Sequence, residues 1–370
     1  MFGLNFGKNT FVGIDIGTSA IKAMEIKVSG GKPVLSNYAW AAIPEFSGRD
    51  DIGSSYFETA FPQYLQRLMK ESKMDSGNIY ISVPAFGGLI TFIEFPQMNE
   101  GDMEQAIKFE AHKYIPTSLD EVVLSWDIIG KTENGNEKKE GAEAGLEETK
   151  RMNRGNVQVL LVAASKARVM RYEKVVYGAG MKIKSIELES FSLVRSLVGN
   201  DPGRFVIIDI GSRVCNMVLV DKGIIRSNRN IDAGGRDMTK MIAKSMGIDF
   251  ERAEKMKISG KDFFAKDSYI NFSVLEMISG EVRRMISSCY KNQENVRMDG
   301  IILSGGSANL YGLENYFTNS LGIKTLMGNP FGRINYDKKL EPIIKNIQAK
   351  FAVSAGLALQ GADNFLNNKK

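Results

Sequence analysis

"VGIDIGTSAIK" occupies positions 12–22, and "VIIDIGSRVCN" occupies positions 206–216. Each is a β-branched run that ends in Asp-Ile-Gly and continues into a small polar residue. The apolar runs predict strands over Phe11 to Asp15 and Phe205 to Asp209. In the first copy a Gly-Thr-Ser turn leads to a second extended segment, Ala20 to Val28. The "SGGK" turn then leads to a third, Pro33 to Ala41. The second copy repeats the plan with Cys215 to Val220, the turn Asp221 to Gly223, and Ile224 to Ile231. A helix over Tyr56 to Lys73 and a strand over Asn78 to Pro84 follow the first meander. A helix over Asp237 to Met246 follows the second. Self-similarity at long range predicts two equivalent halves.

Bulk properties agree with a soluble two-part protein. The chain has 370 residues, 43% of them hydrophobic and 25% charged, enough to bury a sizeable core. A net charge of +5 with no Lys/Arg block argues against nucleic acid as a partner. Cys215 and Cys289 form no close pair, as expected in a reducing compartment. No run of 18 apolar residues is present, so no membrane span is expected. The opening "MFGLNFGKNT" lacks the apolar region of a signal peptide.

The expected organisation is residues 1–85 as the first half, 86–190 as an inserted α+β module, and 191–370 as the second half returning to the first at its end. Within the module, "GDMEQAIKFEAHKYIP" predicts a helix ending at Pro116. "EVVLSWDII", "VQVLLVAAS" and "IKSIELES" predict strands. Residues 130–156 carry six acidic and six basic side chains and almost nothing apolar, which predicts a solvated, mobile loop.

The duplicated turns point to a chemistry. A glycine directly after a strand lets backbone N–H groups approach a ligand, and Thr or Ser adds a hydroxyl. Asp at the strand end sets a carboxylate where hydrated Mg²⁺ can sit. Two such turns facing each other would grip a polyphosphate: Gly17, Thr18, Ser19 and Lys22 from one side, Gly211 and Ser212 from the other. Asp15 and Asp209 would flank the metal. Gly234 and Gly235 precede a helix, a place suited to phosphate. Gly305, Gly306 and Ser307 follow an apolar strand and suit a ribose or base. Glu254 and Lys257 share one helix face and could hold ribose hydroxyls. There is no GxxxxGK and no GxGxxG. His112 is the sole histidine, which excludes a two-histidine zinc site and argues against a Ser-His triad.

In this order the motifs resemble the actin, heat-shock chaperone and sugar-kinase ATPase superfamily. More closely, "VGIDIGTSAIKAMEI", "EAHKYIP", "VLLVAASKARVMRY", "AGMKIKSIELESFSLVRSL", "GGRDMTKMIA", "EVRRMI" and "AGLALQ" resemble the PilM family of type IV pilus assembly proteins, over nearly the whole chain. The resemblance implies an α/β, actin-like (RNase H-like) bilobed ATPase fold with a module placed as in the cell-division protein FtsA. It implies bound ATP and a cytoplasmic protein held at the inner membrane by the short N-terminal tail of a PilN-like membrane protein. Other pilus-platform proteins and a homo-oligomer are further expected partners. An FtsA-like or type II secretion component is the alternative, and a sugar kinase is a weaker one, since no sugar-binding base is visible. At most weak ATPase activity is expected, because no residue stands out to position the attacking water. The chain departs from the family at Cys215, where a Thr is usual, and at Gln360, where an Arg is usual. For the tail, a groove walled by Asn78 to Pro84 and Asp102 to Tyr114 is expected, lined by Phe86, Leu89, Ile107 and Phe109.

Overall fold

The computed structural model describes residues 9–43, 54–74, 77–132, 156–265, 268, 270–291 and 296–368. They form two compact units, residues 1–86 with 169–370 and residues 87–168.

The larger unit begins with β1 (Thr10–Ile16), β2 (Ala20–Ser29) and β3 (Lys32–Ala42), an antiparallel meander, and then β4 (Ile79–Val83), parallel to β1. The smaller unit holds β5 (Leu89–Pro96), β6 (Val122–Thr132) and β7 (Asn156–Ser165), a three-stranded antiparallel sheet in the order β5-β7-β6. The chain then returns through β8 (Ile183–Leu188), which pairs in parallel with β4 and completes a sheet ordered β3-β2-β1-β4-β8. The second half repeats this with β9 (Arg204–Ile210), β10 (Cys215–Asp221), β11 (Ile224–Ile231), β12 (Gly300–Ser304) and β13 (Thr325–Met327), in the order β11-β10-β9-β12-β13. Each half therefore reads third, second, first, fourth, fifth strand.

Strands in the middle of each sheet are covered on both faces, which is why they read as unbroken apolar runs rather than alternations. All five residues of β4 are buried. In the second half, Val206, Ile208 and Ile210 pack in one cluster with Met238, Ile242, Val282 and Met285 from the covering helices. The C-terminal helix Ala352–Asn367 packs on β1, β2 and β4, and so belongs with the first half.

In the smaller unit, the helix Glu100–Ala111 starts at Asn99, whose side-chain Oδ1 accepts the Asp102 N–H at 2.9 Å. Such a cap stabilises a helix by about 1 kcal/mol. Met103, Ile107 and Ala111 recur at helical spacing and pack against Ile93, Phe95, Val157, Val159 and Leu161.

Several expectations change. The inserted unit is 87–168, not 86–190, because β8 is claimed by the β4 edge of the larger sheet. Residues 133–155 of the expected loop lie outside the described residues; its ends do not, as 130–132 extend β6 and Asn156 opens β7. β4 is an interior strand with both neighbours in place, so Asn78 to Pro84 offers no free edge to a peptide. Ile107 is core and Leu89 packs against that core, whereas Phe109 is 73% exposed. "IKSIELES" is strand only to Leu188; a helix, Glu189–Leu197, begins at the next residue.

Candidate functional site

The two Asp-Gly turns line one cleft of about 440 Å³ in the larger unit, within the usual range of about 300–1,000 Å³ for ligand sites. They are built alike. The Gly17 N–H donates to Ala20 C=O at 3.1 Å, and the Gly211 N–H donates to Val214 C=O at 3.0 Å. These glycine amides close their own turns. The residues that follow, Thr18, Ser19, Ser212 and Arg213, line the cleft.

The aspartates are also equivalent. Asp15 lies directly across from Lys22 in the β1–β2 ladder, and Asp209 directly across from Asn216 in the β9–β10 ladder. Directly opposed residues share a sheet face, so each pair faces the cleft together. On the other side, Asp209 neighbours Ser304 on β12. Lys22 Nζ donates to Asp15 Oδ2 at 2.8 Å. Burial alone would lower the Lys22 ammonium. The Asp15 carboxylate, with Asp209 and Glu189 behind it, more than offsets that and holds it above its ordinary value. Asp209 has no ammonium in contact among the described residues. Burial and the neighbouring Asp15 push its carboxyl up to about 6, although the Ser304 hydroxyl and Lys22 pull the other way.

Glu189 also enters this cleft, a residue the sequence reading missed. It is the first residue of its helix, delivered there by β8. Burial first, then Asp209 and Asp15, push its carboxyl up to about 8. Three carboxyl groups thus face one lysine. With Glu189 keeping its proton, Asp15 and Asp209 leave one negative charge beyond that of Lys22, which burial makes costly and a hydrated divalent cation would relieve. The donor set fits magnesium: Asp209 would hold its water shell most directly, and Asp15 less so because Lys22 occupies one of its oxygens. Magnesium would supply screening of phosphate charge.

The other expected residues divide by role. Gly234 and Gly235 are tied to the second turn, Gly235 N–H to Gly211 C=O and Arg236 N–H to Ser212 C=O, each at 2.9 Å. Asp237 Oδ2 accepts the Gly234 N–H at 2.9 Å and caps the helix Gly235–Met246. A Cβ at position 235 would fall 1.8 Å from Ser307 Oγ, so glycine is required for that approach. Gly305 has φ +90° and stands against the backbone of Ile210. The loops carrying 211–212, 234–235 and 305–307 therefore form one packed group, with Gly306 and Ser307 on the cleft wall.

Glu254 and Lys257 both line the cleft. Lys257 is 6% exposed. Its Nζ donates to Gly235 C=O at 2.9 Å, Thr239 Oγ1 at 2.8 Å and Glu254 Oε2 at 2.7 Å. An ammonium has three protons, so these acceptors saturate it. It is built to hold the Gly235 turn rather than a ligand. Thr239 in turn bonds Glu254. Burial lowers the Lys257 ammonium, and Glu254 counters. Arg236, Trp40 and Lys350 also line the cleft without a motif that would announce them. Trp40 lies directly across from Lys22 on β3, extending the row Asp15–Lys22 to the cleft mouth.

Comparison with known proteins fits this geometry. The model of a family described as type IV pilus assembly protein PilM matches residues 13–144 and 146–362. The chain is similar to a solved structure described as the PilM-PilN type IV pilus biogenesis complex, with 25% identity and a TM-score of 0.76, covering 95% of this chain and 98% of that one. It is similar in fold to MreB5 of Spiroplasma citri bound to ADP, at 13% identity and TM-score 0.53, covering 98% and 99% of the two chains. The α/β architecture of this chain is shared with these structures. Cell division protein FtsA of Staphylococcus epidermidis is 20% identical over 359 residues, covering 86% of this chain and 74% of that protein.

Proposed function

The chain belongs to the family of type IV pilus assembly protein PilM, and on that premise we propose that it is an ATP-binding scaffold of the pilus assembly platform. It docks the N-terminal tail of a PilN-like inner-membrane protein and is held at the cytoplasmic face through that partner. The observation that carries the nucleotide reading is the matched pair of Asp-Gly turns on one cleft, with the loops 234–235 and 305–307 packed beside the second turn. Thr18, Ser19 and Ser212 would meet the phosphates, Lys22 would neutralise them, and Gly305, Gly306 and Ser307 with Glu254 would meet the nucleoside. The partner reading is supported by the likeness to the PilM-PilN complex, and no helix among the described residues is long and apolar enough to cross a membrane.

Turnover should be slow. A general base works best when its pKa lies near the working pH and it is ionised. Glu189, pushed up to about 8, is mostly protonated at neutral pH. The test is calorimetric titration of the pure protein with ATP and magnesium, followed by titration with a synthetic tail peptide from the PilN-like protein of the same genome. Absence of ATP binding rejects the nucleotide site; absence of peptide binding with and without ATP rejects the docking role.

A further inference from the structure

The helices Ser273–Cys289 and Leu313–Leu321 border a second cavity of the larger unit, about 860 Å³, which shares no described lining residue with the cleft above. The first helix brings Glu276, Ser279 and Arg283 to it, and the second Asn315, Tyr316 and Asn319. Spacings of three and four residues set each trio on one helix face. Ser279 is 1% exposed. Its hydroxyl lies beside the Tyr316 phenol, out of hydrogen-bond geometry with it, and has no hydrogen-bond partner among the described residues. A buried hydroxyl left without a partner is unfavourable, and here it lines a cavity from which a partner can come. Burial first, then Glu276, push the Tyr316 phenol up, while the Ser279 hydroxyl and Arg283 pull the other way. These four polar groups surround one space.

The charges are separated along this trough. At one end, a Cβ on Gly312 would fall 2.8 Å from Phe264 Cδ2 and 3.6 Å from Asp262 Oδ1, so Asp262 and the Phe264 ring stand at the start of the second helix. At the other end, Arg283 Nη2 donates to Ser320 C=O at 2.5 Å, in the last turn of that helix. Glu276 and Arg283 are seven residues apart, about 10 Å along their helix. That is too far for the two to pair, and neither forms an ion pair among the described residues. Between the ends, the rings of Phe264 and Tyr316 are in contact, with centroids 5.3 Å apart. Tyr311, 58% exposed, lines the same trough.

A ligand that fits has opposite charges about 10 Å apart, flat apolar groups between them, and carbonyls for hydroxyl and amide donors. A polyproline II segment has all three. It turns every three residues at about 3.1 Å each, so side chains three apart share a face about 9 Å apart. Prolyl rings pack on aromatic walls, and the backbone carbonyls make no internal hydrogen bonds. We propose that this trough binds a short proline-rich segment of a partner protein, with a basic side chain over Asp262 and Glu276 and an acidic one, three residues away, on Arg283. The Ser279 hydroxyl and the Asn315 and Asn319 amides donate to its carbonyls.

The experiment follows the fluorescence anisotropy of labelled Pro-Arg-Pro-Pro-Asp-Pro, and of the reversed order Pro-Asp-Pro-Pro-Arg-Pro, titrated with the whole chain at low salt, where charge pairing is least screened. At least one peptide should bind saturably. Arg283→Glu and Glu276→Lys should each weaken it about tenfold or more, since each sets like charges together. Both side chains are exposed, and unchanged melting temperatures check the fold; Glu276→Lys serves alone if Arg283→Glu does not fold. Glycine in place of the two central prolines should weaken binding about tenfold, because a flexible chain must then be ordered. No saturable binding of either peptide, undiminished binding by the charge-reversed variants, or equal binding of the glycine peptide would each overturn the proposal. So would tighter binding of a helix-forming peptide with its charges seven residues apart, which assigns the trough to a helical partner. Displacement by ATP would overturn it as well, by placing the peptide in the other cleft.

Discussion

Lys22 and Asn216 hold the same register position in the two halves, each directly across its hairpin from the cleft aspartate, Asp15 or Asp209. One jaw thus carries its own cation and the other a neutral amide. The duplication of the fold is not a duplication of the charge. Asp15 is paired with Lys22 within the protein, whereas Asp209 has no such partner among the described residues and is raised by burial.

The first prediction follows from that asymmetry. Asp209→Asn should remove most of the magnesium-dependent part of ATP affinity, about tenfold or more, which is about 1.4 kcal/mol or more. Asp15→Asn should remove less, because Lys22 already takes one Asp15 oxygen. Calorimetric titrations of both variants with magnesium and with a chelator decide it; a greater magnesium dependence lost at Asp15 would refute the assignment.

Glu189 should leave a mark on stability. Its folded pKa of about 8 lies above its ordinary 4.5, so the folded state binds a proton that the unfolded state releases in between. The stabilisation is fully present below about 4.5, falls as pH rises, and is lost by about 8, with a slope no steeper than about 1.4 kcal/mol per pH unit. Melting of the ligand-free protein across that range should show a smaller decline for Glu189→Gln than for wild type. Equal declines would mean that Glu189 is ionised in the folded protein.

Two adjacent glycines should behave oppositely. Gly305 has φ +90°, and a Cβ there would lie 2.4 Å from Ile210 C=O. Gly305→Ala should cost about 1–3 kcal/mol. Nothing lies within 4 Å of a Cβ on Gly306, so Gly306→Ala should fold normally and show any effect in nucleotide affinity. Denaturant melts read the first, and ATP titration reads the second.

Lys257 should act through stability. Lys257→Met leaves the Gly235 carbonyl and Glu254 without their ammonium in a buried setting, at a cost of about 3–5 kcal/mol. Glu254→Gln, at a side chain 39% exposed, should cost less. If Lys257→Met keeps its melting temperature and loses only ATP affinity, the lysine is a ligand contact after all.

What the sequence by itself determined was whatever repeats or is local. The turns after β1 and β9 are written in Asp-Ile-Gly, and the covered strands in unbroken apolar runs, because a strand flanked on both faces has no polar side to show. The candidate phosphate residues could be named for the same reason: each lies within a few positions of a glycine that a close backbone approach demands. Only the tertiary structure decided the rest. β8 reads as part of the inserted module until its pairing with β4 is seen, and pairing partners are remote in sequence. Glu189 looks like the tail of a strand, yet it gains its raised pKa from burial beside Asp209 and Asp15, groups far away along the chain. Lys257 looks like a surface ion-pair partner of Glu254, yet the Gly235 carbonyl and the Thr239 hydroxyl saturate it. Burial and the identity of a cross-strand neighbour are properties of the folded chain, and in this cleft they set which acid meets a cation, which keeps its proton and which lysine is already saturated.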